Sequence, residues 1–280
     1  MKLHAAICLA IMLAGLSATA LAAESPTTEK IEGANGWINW ERQALKAVGH
    51  GILPGDAESE AQAALMARAA AIADAYRNLA SVANGVRVTG ETYVKNFVTK
   101  SDEVRLKVEG FIRGAEIVSE KQLPDRSFEV ILQAPLAGRN GLISGISSEI
   151  LPGGQSVPES AGNPTGLIVD ARGLGVKPAM SPKVYDEDGK EVYGTVAVSP
   201  DYAIEVGIAA YPRSMAQALK SPRAGSQPLV VKALRRGPKF ATDVVVSNAD
   251  ANRIREADRA AGVLARCSVC ILLGPAEKQQ

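Results

Sequence analysis

The architecture of the first half of this chain depends on one stretch, residues 56–82, which reads DAESEAQAALMARAAAIADAYRNLASV. Alanine dominates the stretch, glycine and proline are absent from it, and apolar residues recur at helical spacing. The predicted apolar stripe consists of Ala61, Leu65, Ile72, Tyr76, Leu79 and Ala83. Asp56 and Ser59 offer N-cap oxygens, and Asn84-Gly85 supplies a stop at which glycine can take a positive φ. We therefore predict one long amphipathic helix.

Strand patterns flank this helix on both sides. Residues 40–51 alternate, with Leu45, Ala47 and Gly49 on one face. Alternation also predicts strands at residues 86–88, 93–98, 104–112 and 128–132, with the last turn at residues 124–126. The first half should therefore form a mostly antiparallel sheet with the long helix on one face.

The second half of the chain predicts a mixed sheet with helices packed against it. Residues 166–171 include a continuous Leu-Ile-Val run, which favours a strand buried on both faces. Asp188-Gly189 predicts a tight hairpin turn. Residues 242–247, 250–265 and 268–273 read as strand, helix and strand, and a β-α-β unit of this kind usually has parallel strands.

The predicted fold class is therefore α+β, with two small domains, each a mixed or antiparallel sheet with helix packed on one face. A stretch rich in proline and glycine, residues 147–165, has the composition of a surface linker. The predicted organisation is a signal peptide at 1–22, a flexible leader at 23–35, domains at 36–146 and 166–274 around that linker, and a polar tail at 275–280.

The first 22 residues resemble an export signal. Lys2 precedes an apolar run, and Ala20-Leu21-Ala22 has the small residues that signal peptidase requires. The run is shorter than the ~20 residues that cross a bilayer, so we expect cleavage near Ala22 and a periplasmic mature chain. The cleavage point has no cysteine, so we expect no lipid and no direct membrane anchor.

Composition excludes several classes of protein. With 280 residues, 46% of them hydrophobic and 22% charged, the chain is neither disordered nor a polytopic membrane protein. Loss of Lys2 with the signal would balance the 31 basic and 30 acidic residues. A net charge near zero provides no long-range attraction for polyanions, so nucleic acid is not expected as a partner.

The few residues capable of redox, metal or nucleophilic chemistry have structural interpretations. If Cys267 and Cys270 both lie in the last strand, about 10 Å and opposite faces separate them, which favours packing cysteines over a disulfide or redox pair. Two cysteines and one distant histidine, His50, cannot complete a zinc site, and His50 has no neighbouring hydrolase motif. We predict no catalytic residue, no metal and no cofactor.

One loop is a candidate ligand site. Residues 247–250, Ser-Asn-Ala-Asp, lie between a predicted strand and a predicted helix, where α/β sheets usually bind ligands. The candidate ligand-binding residues are Asn248 and Asp250. Both are also ordinary helix-capping residues, so capping is the alternative interpretation.

The first domain resembles the LPP-twenty lipoprotein-like domain family over residues 36–136. The residues that carry the resemblance are Trp40, Gly49-x-Gly51, Ala67-Arg68-Ala69-Ala70, Asp74-Ala75-Tyr76-Arg77-Asn78-Leu79, Gly85-Val86, Val108-x-Gly110 and Gly114-Ala115. The resemblance implies an exported envelope protein without catalysis, and related domains occur in the flagellar assembly proteins P and T. The lipoprotein members carry a lipid anchor, and this chain differs from them because it has no cysteine at the cleavage point.

These expectations converge on a non-enzymatic periplasmic protein of structural or assembly function. Its expected partners are envelope or flagellar proteins, or further copies of itself. Two alternatives remain open: a periplasmic ligand-binding module with a site at residues 247–250 or in the interdomain cleft, and an enzyme without a recognisable motif. A converging apolar pocket would favour the ligand-binding module. A strongly shifted pKa of a carboxylate or of His50 inside such a pocket would favour the enzyme.

Overall fold

The computed structural model describes residues 27–153, 155–157 and 162–275. The predicted signal peptide, residues 1–22, lies outside the described residues, and so do residues 23–26 of the leader and 276–280 of the tail.

The first domain is an antiparallel sheet covered on one face by helices. Its strands are β1 (Thr28–Lys30), β2 (Gly36–Asn39), β3 (Ala44–Gly51), β4 (Glu116–Gln122) and β5 (Phe128–Pro135). Its helices are α1 (Glu60–Asn84), α2 (Val94–Val98), α3 (Asp102–Arg113) and α4 (Leu142–Ile150). The strand order is β1-β2-β3-β5-β4, and α1 packs mainly on β3. This arrangement confirms the predicted antiparallel sheet with one long helix.

Helix α1 buries a stripe that shares only Leu79 and Ala83 with the predicted one. The buried side chains are Ala63, Ala67, Ala71, Ala75, Leu79, Val82 and Ala83. Leu65, predicted to be inside, is 69% exposed, and Ile72 is only partly buried. The reason lies in β3, because a Cβ on Gly49 would overlap the Ala71 carbonyl oxygen and the Ala75 amide nitrogen. The helix backbone approaches the sheet so closely that alanine fits between them and leucine does not.

Both ends of α1 were predicted, but the role predicted for Gly85 was wrong. Ser59 is the N-cap, and its Oγ accepts a hydrogen bond from the Gln62 amide at 3.1 Å. Gly85 follows the helix with φ −81°, so it does not take the expected positive φ. A Cβ on Gly85 would lie 2.6 Å from Ile31 Cγ2. Glycine is therefore required there for the close contact with Ile31.

Three predicted strands of the first domain are wrong. Residues 94–98 lie in α2 and residues 104–112 lie in α3, whereas residues 86–88 contribute only an isolated bridge between Arg87 and Tyr93. Helix α3 buries Val104, Val108 and Phe111, which lie at i, i+4 and i+7 and share a helical face. The alternation that suggested a strand passes through Leu106, which is exposed.

The remaining element boundaries also differ from the predictions. Strand β1 lies inside the predicted flexible leader and pairs with β2, because its backbone completes the edge of the sheet. Strand β4, which pairs with β5, was not predicted. Helix α4 continues to Ile150, which is buried, so the connection between the domains begins after the first residues of the predicted linker.

The second domain is a mixed sheet with helices on both faces. Its strands are β6 (Leu167–Asp170), β7 (Val184–Tyr185), β8 (Glu191–Tyr193), β9 (Leu229–Arg236), β10 (Val244–Val246) and β11 (Val269–Leu272), in the order β11-β6-β9-β10-β7-β8. Its helices are α5 (Pro200–Val206), α6 (Met215–Lys220) and α7 (Asn248–Ala261). The predicted α+β class with two small domains is confirmed, but the second sheet has helices on both faces and not on the one face that was predicted.

Two local predictions for this domain are confirmed and one is wrong. Strand β6 lies between two parallel neighbours, and Gly189 takes φ 79° in the β7–β8 hairpin. The strands on either side of α7, however, are not parallel. Strands β6 and β9 separate β10 from β11, and β9 is parallel to β6 but antiparallel to β10. The direction of β10 is therefore set by its pairing with β9, not by the helix that follows it.

The two domains share one continuous hydrophobic core. The same cluster of buried residues includes Leu132 of β5, Ile146 of α4, Val169 of β6 and Ile254 of α7. A smaller cluster lies on the opposite face of the second sheet, around Ile168 and Cys270.

Candidate functional site

The interface between the two domains, here called the seam, contains an aromatic pair. The rings of Trp40 and Tyr211 meet edge to face, with centroids 5.8 Å apart and an interplanar angle of 76°. Next to this pair, Thr27 Oγ1 donates a hydrogen bond to the Tyr211 carbonyl oxygen at 2.7 Å. All three residues are buried, so this part of the seam is closed to solvent.

A second part of the seam is made of main-chain hydrogen bonds. The Met180 amide donates to the Arg87 carbonyl oxygen at 2.9 Å, and the Ser181 amide donates to the Val88 carbonyl oxygen at 2.8 Å. The Arg87 guanidinium donates to the Pro178 carbonyl oxygen at 2.8 Å and pairs with Glu29 at 2.7 Å. In the segment predicted as a strand at residues 86–88, the carbonyl oxygens of Arg87 and Val88 therefore bond to the second domain.

A groove of about 910 Å³ opens on the first domain, between the ends of β3, β4 and β5 and the helices α3 and α4. Its floor and walls include Phe111, Gln133 and Pro135, together with glycines of both helices. A Cβ on Gly110 would meet no atom within 4 Å, so the groove is open at that position.

The charged groups of this groove are mostly positive. Arg42, Lys107 and Arg139 line it together with one acidic residue, Glu116. Lys107 pairs with Glu103 on its own helix at 2.7 Å. Within the part of the chain that the structure describes, the guanidiniums of Arg42 and Arg139 form no ion pair. Neither arginine was predicted from the sequence, because the two come from separate loops and form no motif.

The predicted ligand residues Asn248 and Asp250 make local contacts. The Asn248 amide donates to Glu187 Oε2 at 2.9 Å, and Asn248 Oδ1 accepts from the Glu187 amide at 3.2 Å. Asp250 accepts a hydrogen bond from Arg253, and its amide is capped by Ser247 Oγ at 3.0 Å. The structure thus places both residues at the first turn of α7, where the β7–β8 hairpin engages Asn248.

The same hairpin contacts α7 through a partly buried ion pair. Asp186 accepts from Arg255 Nη2 at 2.7 Å and from the Lys190 amide at 2.8 Å. The hydrogen bond from Arg255 lowers the pKa of the Asp186 carboxyl below its ordinary value. The acidic run at residues 186–188 therefore has a structural role in joining the hairpin to the helix.

The cysteines and the histidine do not come together. Cys267 and Cys270 are both buried free thiols, and they lie in different apolar clusters. Cys267 precedes β11 with φ 55°, so only Cys270 lies within the strand. Burial raises the pKa of Cys267 to about 12 and also raises the pKa of Cys270. His50 is exposed at the end of β3, where its amide donates to Asp74 Oδ2 at 3.1 Å.

The first domain matches a family model over residues 40–135, described as LPP20 lipoprotein. Residues 166–275 match a second model, described as the second domain of Treponema pallidum Tp0624. No curated protein matches the chain. The match to the LPP20 model confirms the predicted resemblance of the first domain, and it indicates an envelope-associated protein.

The groove belongs largely to the LPP20 domain. Arg42, Lys107 and Glu116 fall within the matched residues, whereas Arg139 follows them and leads into α4. Among the described residues, no helix has the length and apolar character needed to cross a bilayer. No group of three or more metal-ligating side chains comes together in that same part of the chain.

Proposed function

We propose that this protein is a non-enzymatic, periplasmic structural or assembly component of the cell envelope, which acts through protein–protein contacts. The observation that carries the proposal is the open groove of the LPP20 domain, in which Arg42 and Arg139 lack an ion-pair partner among the described residues. An acidic segment of another envelope protein fits this charge.

The lining of the groove favours a protein segment over a small molecule. Small-molecule pockets are lined mainly by apolar side chains with few polar groups. Here charged side chains, glycines and a turn of the main chain alternate along an open surface. A partner segment can pair its carboxylates with Arg42 and Arg139 and can form hydrogen bonds with the polar groups that line the groove.

The seam supports an assembly role because it ties the groove to the second domain. The Gly138 amide, next to Arg139, donates to the Ile204 carbonyl oxygen of α5 at 2.7 Å. Helix α4, which lines the groove, also packs against α5. A partner bound in the groove would therefore meet a body in which both domains are joined.

In vivo photo-crosslinking tests this proposal. A photoreactive residue at Lys107 or Ser144, both in the groove, should capture an identifiable envelope protein in intact cells. The double change Arg42→Glu and Arg139→Glu should abolish that crosslink. Arg259→Glu serves as the matched control, because Arg259 is exposed on α7, outside the groove. Crosslinks that are absent, or that survive the double change, would contradict the proposed contact surface.

The periplasmic location has its own test. The mature protein should begin near Ala23 and have the mass of an unlipidated chain, as judged by N-terminal sequencing and mass spectrometry of protein from the native host. A retained signal or a lipid-sized mass increment would refute this location and state. The flagellar association rests on the resemblance alone, and loss of motility on deletion, restored by the wild-type chain but not by the groove variant, would support it.

A further inference from the structure

A second cavity, of about 230 Å³, lies in the second domain between the β7–β8 hairpin and the loop that joins β9 to β10. Its main lining residues are Tyr185, Arg235, Pro238, Phe240, Asp243 and Val245. Asn248 and Asp250 do not line it. Its volume is below the roughly 300–1,000 Å³ of pockets for drug-sized ligands, so a ligand would have the size of a single amino acid.

Two buried carboxylates line this cavity, and since Asp186 pairs with Arg255, Asp243 is the one without an ion pair among the described residues. The residue is 4% exposed, and its Oδ1 accepts hydrogen bonds from Thr242 Oγ1 at 2.9 Å and from the Lys183 amide at 3.2 Å. Among the described residues, none donates a hydrogen bond to Oδ2. Burial raises the pKa of this carboxyl. Asp243 Oδ2 is therefore an acceptor that the protein leaves unused in a nearly buried residue, so a ligand that donates to it would be favoured.

The ammonium group of Lys183 forms its ion pair with Glu191 and not with Asp243. Lys183 Nζ binds Glu191 Oε2 at 2.5 Å, and Glu191 Oε1 is buried without a hydrogen-bond partner among the described residues. Within the described residues, Asp243 therefore has no cationic partner. A second ammonium, brought by a ligand, would balance the charge of this cluster.

The rest of the cavity supplies an apolar wall and a positive rim. Phe240, Pro238 and Val245 provide the apolar surface. Arg235 is exposed at the rim and forms no ion pair within the described part of the chain. Lys239 Nζ lies 4.7 Å from the Phe240 ring centroid and 3.5 Å from Glu91 of the first domain.

We propose that this cavity binds a small zwitterion of amino-acid size with an apolar side chain. Its ammonium group would donate to Asp243, its carboxylate would pair with Arg235, and its side chain would pack against Phe240 and Pro238. This site goes beyond the proposed assembly function, because it is separate from the groove and needs no protein partner.

Isothermal titration calorimetry of the mature protein with L-leucine, L-methionine and L-phenylalanine tests the proposal. At least one of these amino acids should bind. N-acetyl-L-leucine, which lacks the ammonium, and L-leucinamide, which lacks the carboxylate, should bind about tenfold or more weakly than L-leucine, since a hydrogen bond to a charged group contributes about 1.5–3 kcal/mol. Absence of binding by all three amino acids at millimolar concentration would overturn the proposal.

Three variants assign the contacts. Asp243→Asn retains an acceptor for Thr242 and Lys183 and should lose binding at least about tenfold. Arg235→Gln, at an exposed position that should not affect folding, should weaken L-leucine but leave L-leucinamide unchanged. Arg236→Gln is the control, since Arg236 does not line the cavity. Equal affinity in Arg235→Gln and Arg236→Gln would refute the predicted carboxylate contact and with it the zwitterion.

Failure of this proposal is distinguishable from failure of the proposed assembly function. The double groove variant, Arg42→Glu with Arg139→Glu, should bind L-leucine like wild type. The variant Arg235→Gln should form the groove crosslink like wild type.

Discussion

The two sheets of this protein bury their strands in different ways. In the first sheet, β3 faces α1 with Leu45 and Ala47, whereas Val48 and His50 on the other face are partly or fully exposed. In the second sheet, β6 and β11 are buried on both faces. The stability of the first sheet therefore depends on how closely α1 approaches it. The stability of the second sheet depends on the apolar side chains packed on both of its faces.

The largest effect is expected where the helix backbone contacts β3. Gly49→Ala would drive a Cβ into the main chain at Ala71 and Ala75, which a side-chain rotation cannot relieve. We expect a loss of about 3 kcal/mol or more in the free energy of unfolding, measured by denaturant titration. Gly110→Ala on α3 is the control, and it should stabilise by about 0.5–1 kcal/mol because its Cβ meets open space. Similar midpoints for the two variants would show that α1 does not approach β3 so closely.

A second pair of variants compares a face that is covered with one that is open. Ile168→Ala removes a fully buried side chain from β6 and should cost about 2–5 kcal/mol. Val48→Ala on the open face of β3 should cost about 1 kcal/mol or less. Thermal or chemical denaturation measures both. A Val48→Ala cost as large as that of Ile168→Ala would mean that another part of the chain, or a partner, covers the open face.

A smaller, pH-dependent effect is expected at the contact between the hairpin and α7. Asp186→Asn removes the charge that Arg255 pairs with, so it should lower the melting temperature more than Asp250→Asn, whose arginine partner is exposed. Because Arg255 lowers the pKa of Asp186 in the folded state, the stabilisation is present above the unfolded carboxyl pKa of about 4. It is lost as the pH falls through the folded value. The difference between wild type and Asp186→Asn should therefore narrow below about pH 4. A difference that stays constant in acid would assign the effect to something other than the carboxylate charge.

The smallest effect concerns the thiols on the two sides of β11, since it changes reactivity and leaves stability unchanged. With a pKa of about 12, Cys267 holds about a thousandfold less thiolate at pH 8 than an unfolded cysteine. Both thiols should react slowly with iodoacetamide in the native protein and rapidly in denaturant. Fast native alkylation, or an oxidised pair in protein isolated from the native host, would contradict the buried thiols.

The sequence alone predicted the features that depend on neighbouring residues. The N-cap at Ser59 needs an oxygen three residues before an amide, and the hairpin at Asp188-Gly189 needs a residue that tolerates positive φ. The long glycine-free run produced α1, and the continuous apolar run of β6 indicated burial on both faces. The family resemblance was carried by the same short-range patterns.

Long-range contacts decided the rest. The buried face of α1 depends on Gly49, which lies more than ten residues before the helix, and a pattern search within the helix cannot include it. The direction of β10 depends on its pairing with β9, and the carbonyl oxygens of Arg87 and Val88 bond to the second domain instead of to a neighbouring strand. Neither candidate site was predicted. Arg42 and Arg139 line the same groove, and Asp243 and Tyr185 line the same small cavity, only after distant segments have folded together. Burial and the absence of a charge partner depend on the residues that surround a side chain in the folded protein, so spacing along the chain does not reveal them.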